Sequence, residues 1–188
     1  DKEEEIWRIG NKTIKDYLAL PDERRVELID GVFYDMAPPS RMHQSMSMKL
    51  SSRIEQYIRE KGGPCEVYAA PFGVHLNEED DTTIVEPDIS VICDKDKLNE
   101  RGCEGAPDWV VEITSPSNAG YDYVKKLKLY LKAGVREYWI VDIATREVAV
   151  YDFTANEVLP ENYSFEDKVK AGIYDDLWID FKEISAYL

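Results

Sequence analysis

The stretch DWVVEIT, residues 108–114, constrains the fold more than any other part of the chain. Trp109, Val110, Val111 and Ile113 form the apolar run expected of a buried, central strand. Glu112 interrupts it. Alternate side chains of a strand share a face, so Val110, Glu112 and Thr114 point one way and Val111 and Ile113 the other. A carboxylate left unpaired in such a place costs several kcal/mol even after relaxation, so a partner must exist.

The flanking sequence supplies the rest of a layered fold. KTIKDYLAL (12–20) predicts a short helix with Thr13 as N-cap. The Asp30-Gly31 pair between two apolar-alternating runs predicts a hairpin. Residues 42–60 predict an amphipathic helix whose stripe is Met46, Leu50, Ile54, Tyr57 and Ile58, stopped by the glycines at 62–63. Strand-like segments follow at 65–76 and 83–93, then a polar loop at 94–107. That loop has the flavour of a calcium-binding EF-hand, but Leu98 and Asn99 stand where an oxygen ligand and a glycine are required. After the central strand comes a helix over 121–133, with Tyr123, Leu127, Tyr130 and Leu131 as its stripe and Gly134 as its stop. Strands at 136–142 and 146–153 follow, and the tail holds a further strand or two around LWIDF. The expected fold is α/β in the mixed α+β sense: a mixed central sheet flanked by helices, with an N-terminal hairpin and extra C-terminal strands. It reads as one domain over 1–188, with a core at about 24–153 and a C-terminal extension at 154–188.

Charge and cysteine content narrow the function. With 38 acidic and 23 basic residues the net charge is −15, which opposes bulk coating of nucleic acid but suits a site that gathers carboxylates around a cation. No apolar run spans a membrane, and DKEEEIWRIG is too acidic to read as a signal peptide. Cys65, Cys93 and Cys103 are odd in number and lack metal-ligand spacing, so they are expected to be reduced thiols in a cytoplasmic protein.

The acids point to a site. Asp88 follows Pro87 at the start of DISVIC, beside Glu86. If that strand neighbours 108–114, Asp88 and Glu112 converge within reach of one hard cation, Mg²⁺ or Mn²⁺. On the next helix Asp122, Lys126 and Tyr130 are spaced four apart. Lys126 then lies about 60° from Tyr123 and 40° from Tyr130, bordering the face that packs on the sheet. There it can reach the carboxylates. A plain exposed Asp122–Lys126 pair is the simpler alternative.

With these residues in place, the run from EPDISVIC to REYWIVD, together with VELIDGVFYDMAPPSRMHQ, closely resembles the Uma2 family over about residues 10–155. That family is placed among the PD-(D/E)XK nuclease-like proteins and commonly labelled restriction endonuclease-like. The resemblance implies that Pro87-Asp88 supplies the first acid and Glu112 the second. Thr114 stands where the superfamily places its lysine, and Lys126 takes that part from the helix. Glu27 in ELIDG matches an additional acid near the metal, acting through water, and His43, Asp122 and Tyr130 are candidate accessory residues. The implied activity is Mg²⁺-dependent (or Mn²⁺-dependent) hydrolysis of nucleic-acid phosphodiesters, DNA in the first instance, by a cytoplasmic homodimer. Asp88 and Glu112 would hold the metal, and Lys126 would position and help deprotonate the attacking water.

DNA contact is expected from a positive rim. Residues 120–136 carry Lys125, Lys126, Lys128, Lys132 and Arg136, and 41–61 carries Arg41, Lys49, Arg53, Arg59 and Lys61. Of these, Lys125, Lys128, Lys132 and Arg41 are the leading candidates if both helices flank the cleft. No aromatic interleaving suggests a surface for stacking single-stranded bases. Two competing readings remain: a catalytically silent nuclease-like scaffold, and an association module using apolar surface in 154–188.

Overall fold

Hydrophobic periodicity dictates which segments form elements, and a single six-stranded sheet organises them. The computed structural model describes residues 10–114 and 122–188. The chain begins with helix α1 (Ile14–Leu18), capped by reciprocal hydrogen bonds between Thr13 and Asp16. Strands β1 (Val26–Ile29) and β2 (Val32–Asp35) pair antiparallel about Asp30 and Gly31, both at positive φ, as a two-residue hairpin turn requires. Helix α2 (Arg41–Lys61) buries Met46, Leu50, Ile54, Tyr57 and Ile58, the stripe its sequence predicts, and ends at left-handed Gly62.

Strands β3 (Glu66–Ala69), β5 (Ile89–Ile92), β8 (Trp109–Thr114), β9 (Glu137–Asp142), β10 (Glu147–Asp152) and β11 (Pro160–Ser164) make the main sheet, in the spatial order β11-β10-β9-β8-β5-β3. Within this sheet, among the described residues, only β8 and β9 pair parallel; helix α3 (Asp122–Ala133) lies between them in sequence, as a parallel connection needs. The predicted strand 65–76 divides at Pro71, which cannot donate to a ladder. Its second half becomes β4 (Gly73–His75), which joins a small sheet with β6 (Leu98–Asn99) and β7 (Gly102–Glu104) built from the segment read as loop.

The two faces of the main sheet bury two cores. Trp109, Val111, Ile113, Trp139 and Val141 pack with the α2 stripe on one side. Val110, Tyr138 and Tyr130 pack on the other with β4 and β7, and Leu127 lies against them. Strands β12 (Lys168–Lys170) and β13 (Trp178–Asp180) and helix α4 (Phe181–Ile184) close the first core. Phe165, Val169, Leu177, Ile179, Phe181 and Ile184 are buried there. This corrects the picture of an apolar tail left open for association: most of its large apolar side chains are already covered. The helix α3 stripe also needs amendment, because Leu131 is exposed and Tyr123 lies outside the described side chains.

The cysteine expectation is corrected too. Cys65 and Cys93 stand one register step beyond the Glu66↔Ile92 pair and form a disulfide, while Cys103 is free and buried. Sequence spacing hides such a pair because its proximity comes from strand register. The thiol argument for a cytoplasmic location falls with it. Among the described residues, no helix is long and apolar enough to cross a membrane.

Candidate active site

The register of β5 and β8 brings the two acids together. Ile89 pairs with Val111 and Ser90 with Val110, so one further step sets Asp88 opposite Glu112 on the same face. The ladder does not take that step with backbone alone. Asp88 Oδ2 accepts from the Ile113 amide at 2.7 Å, and the Asp88 amide points at Glu112 Oε2 at 3.4 Å.

Lys126 answers the question that Glu112 raises. Its Nζ is 2.9 Å from Glu112 Oε1 and 3.0 Å from Glu27, and the Tyr130 hydroxyl donates to the same Glu112 oxygen at 2.7 Å. Glu112 and Lys126 are only 6% and 8% exposed, so these bonds act in a low-dielectric setting. The spacing Lys126–Tyr130 puts both groups over one carboxylate because i and i+4 share a helix face.

Glu27 is delivered by β1, where Leu28 and Ile84 exchange two backbone hydrogen bonds at 2.9 and 2.8 Å. Its carboxylate also accepts from the Glu86 amide at 2.9 Å. Glu86 is in turn held by Arg25 at 2.8 Å and by the Tyr17 hydroxyl at 3.3 Å. This outer chain was not legible in the sequence; the acid run at 86–88 was its only trace. His43, in the first turn of α2, places Nε2 3.1 Å from Asp88 Oδ1.

The electrostatics are unbalanced. Burial, opposed by Lys126 and reinforced by the Asp88 and Glu27 charges, pushes the Glu112 carboxyl up to about 7. Burial lowers the His43 imidazole, but the hydrogen bond and charge of Asp88 outweigh it, and its pKa lies above the ordinary histidine value. Lys126 is also penalised by burial, yet Glu112 and Glu27 hold it well above the ordinary lysine range. Three carboxylates thus face one ammonium and one imidazole.

These groups line a cleft of about 100 Å³ whose far wall is Tyr34, Asp35, Met36 and Ala37 at the end of the hairpin. Thr114 lines it as well, with its hydroxyl buried and without a hydrogen-bond partner among the described residues. The residues expected on a positive rim do not gather here. Lys125 donates to the Tyr34 hydroxyl at 2.8 Å, while Arg41, Lys128 and Lys132 are exposed and none of the four lines the cleft. Helices α2 and α3 lie on opposite faces of the sheet, which is why their basic residues do not form one rim. The Asp122 side chain lies outside the described residues.

Comparison with known proteins places the chain. A model of the Uma2 family, described as "Putative restriction endonuclease", matches residues 14–181. The chain belongs to the Uma2 family. It is similar to the uncharacterized protein slr1290 of Synechocystis, 28% identical over 160 residues that span 83% of this chain and 82% of that one. The Uma2 fold is shared with the crystal structure of "a putative nuclease belonging to DUF820" from Anabaena variabilis, with a TM-score of 0.76 and 22% identity over 93% of this chain and 97% of the other.

The donor chemistry of this Uma2 cleft fits a hard divalent cation. Asp88 and Glu112 offer oxygen only, and each retains lone pairs beyond the bonds described. Among the described residues no three His, Cys, Asp or Glu side chains form a ready metal cage. Two carboxylates with an open side are what Mg²⁺ uses when waters and a phosphate complete its coordination.

Proposed function

We propose that this Uma2 protein is a metal-dependent endonuclease that hydrolyses DNA phosphodiester bonds. The observation carrying the reading is the meeting of Asp88, Glu112 and Lys126, from two strands and a helix, in one cleft. Asp88 and Glu112 would hold Mg²⁺ or Mn²⁺. The cation supplies positive charge that neutralises the scissile phosphate and the leaving oxygen.

The chain's own residues then divide the remaining work. Lys126, kept protonated by two carboxylates, serves as a fixed hydrogen-bond donor that orients a water or phosphate oxygen. In the metal-free protein the two carboxylates favour its charged form, which makes it a donor rather than the proton acceptor that the family resemblance implies. Glu27 has both oxygens within 3.0 Å of Lys126 and so acts as the lysine's anchor. Tyr130 fixes the Glu112 carboxylate, and His43 fixes Asp88. A homodimer belongs to the same proposal, and analytical ultracentrifugation tests that part.

The silent-scaffold alternative would be favoured by a Lys126 turned away from Glu112, or by an arginine occupying that carboxylate. Neither arrangement is found: Lys126 lies 2.9 Å from Glu112, and the cation bonded to it is a lysine. The deciding experiment is calorimetric titration of Mn²⁺ into wild type, Glu112→Gln and Asp88→Asn, followed by cleavage of supercoiled plasmid. Binding and cleavage that either substitution abolishes support the proposal. Indifference to both substitutions overturns it.

A further inference from the structure

Along the sequence no aromatic and basic residues alternate, yet the fold assembles such a surface from distant segments. The face of α2 turned away from the sheet presents Lys49, Arg53 and Arg59 to a groove of about 680 Å³. Its opposite wall comes from the C-terminal segment, with Lys168, Trp178 and Tyr187. Lys49 donates to the Ile184 carbonyl at 3.2 Å and sits 5.2 Å from the centre of the Tyr187 ring, which fixes one rim.

Two properties of this groove are unexpected in a chain of net charge −15. First, cations outnumber acids: Lys49, Arg53, Arg59 and Lys168 face Asp180 and Glu183. Asp180 is already committed, capping α4 through the Glu183 amide at 3.2 Å and lying 4.0 Å from Lys168. Arg53 and Arg59 make no hydrogen bond or ion pair with any described residue. Second, Trp178 is 50% and Tyr187 80% exposed, whereas Trp109 and Trp139 are fully buried. Unpaired guanidinium groups beside bare aromatic planes offer a polyanion its charge complement and unpaired bases a stacking surface.

We propose that this groove binds a single DNA strand, with phosphates on Arg53, Arg59 and Lys168 and a base stacked on Trp178. The choice of DNA as occupant rests on the nuclease reading; the groove itself does not. A duplex hides its base faces, and carboxylates alone would engage the cations while leaving the indole plane uncovered. The groove follows the helix that carries His43 to the acid cleft, starting about 9 Å further along its axis at Lys49. It therefore provides a lead-in for a strand whose cleavage takes place elsewhere.

The test is fluorescence anisotropy of a labelled fifteen-nucleotide dT strand in EDTA, so that binding is read without metal or cleavage. Wild type, Arg53→Ala/Arg59→Ala, Trp178→Ala, Trp178→Phe and, as a control at an exposed lysine outside both the groove and the cleft, Lys95→Ala are compared across a salt series, each checked for unchanged thermal unfolding. The double arginine change is expected to flatten the slope of log affinity against log salt by about 1.4, the value for two lost single-strand phosphate contacts. Trp178→Ala is expected to weaken binding at least about 5-fold, with Trp178→Phe largely restoring it and Lys95→Ala neutral. Groove variants that bind with wild-type affinity and slope overturn the inference, as does wild-type preference for a duplex or for polyglutamate. A separate Mn²⁺ cleavage assay keeps the two ideas apart. Groove-dependent binding without cleavage retires the nuclease reading alone, and cleavage with unaltered groove variants retires the groove alone.

Discussion

Glu112 and Glu137 are buried in adjacent, parallel strands of one sheet, yet the protein treats them differently. Glu137 points to the α2 side, where it accepts from the amides of Gly172 at 2.7 Å and Ile173 at 3.1 Å and from the Trp139 indole at 3.0 Å. Its donors are neutral, and two of them are backbone amides that tie the 171–173 turn to the sheet. Burial outweighs those donors and raises its pKa, but nothing about it faces a cleft. Glu112 points to the α3 side, where a lysine and a tyrosine hold one oxygen and two other carboxylates stand nearby. Neutral dipoles can satisfy a structural acid completely. A set of charges with one open side remains available for chemistry.

The largest expected contrast is catalytic. Glu112→Gln or Asp88→Asn should weaken Mn²⁺ binding by more than the ~10–100-fold typical of a residue that merely supports a ligand, and should abolish plasmid cleavage. Glu137→Gln should leave both unchanged. If cleavage responds equally to Glu137→Gln, the division between the two acids is wrong.

Stability gives the next contrast. Lys126→Met strands two buried carboxylates and should cost about 3–5 kcal/mol by urea denaturation of metal-free protein, with Mn²⁺ recovering part of it. A loss near zero would mean that the cluster relaxes into water and that the cleft is less closed than the geometry indicates. Glu137→Gln disturbs only hydrogen bonds and should cost about 1–3 kcal/mol, with no recovery on adding Mn²⁺.

The last contrast is a slope. The Glu112 carboxyl rises from an ordinary 4.5 to about 7 on folding, so the folded chain holds its proton more tightly than the unfolded one. That contribution to stability is fully present below about pH 4.5 and is lost as pH climbs toward 7. Thermal unfolding of metal-free protein should drop across this window, and Glu112→Gln should remove part of the drop. A variant that keeps the full slope would assign the titration to another group.

What the sequence made legible was whatever local periodicity controls. The α2 stripe follows from helical spacing, the Asp30-Gly31 turn from backbone preference, and the Lys126–Tyr130 pairing from two residues four apart. Asp88 and Glu112 were legible as a pair only on the assumption that their strands are neighbours, a condition that strand order meets. The illegible features all depend on contacts between distant segments. Glu137 gives no signal of its own in the sequence, because two of its three donors are amides of the distant 171–173 turn. The Cys65–Cys93 bond depends on register, and the basic groove on a C-terminal segment packing along a helix far earlier in the chain. Lys125 misled for the same reason: its partner, Tyr34, is on the hairpin.

Because Asp88 and Glu112 face each other across a strand pair, their relation is one of parity. Whether both acids share a side depends on counting residues within β5 and β8, where a shift of one turns every side chain to the opposite face. The 94–107 connection joining those strands carries no such parity: β6, β7 and the buried Cys103 constrain it through packing, not through the aim of either acid. One residue inserted inside Trp109–Glu112, by contrast, would send a carboxylate into the other core and leave Lys126 with Glu27 in place of its two partners. The meeting of these acids is thus indifferent to the parity of the connection between their strands and intolerant of a single odd step in the sheet.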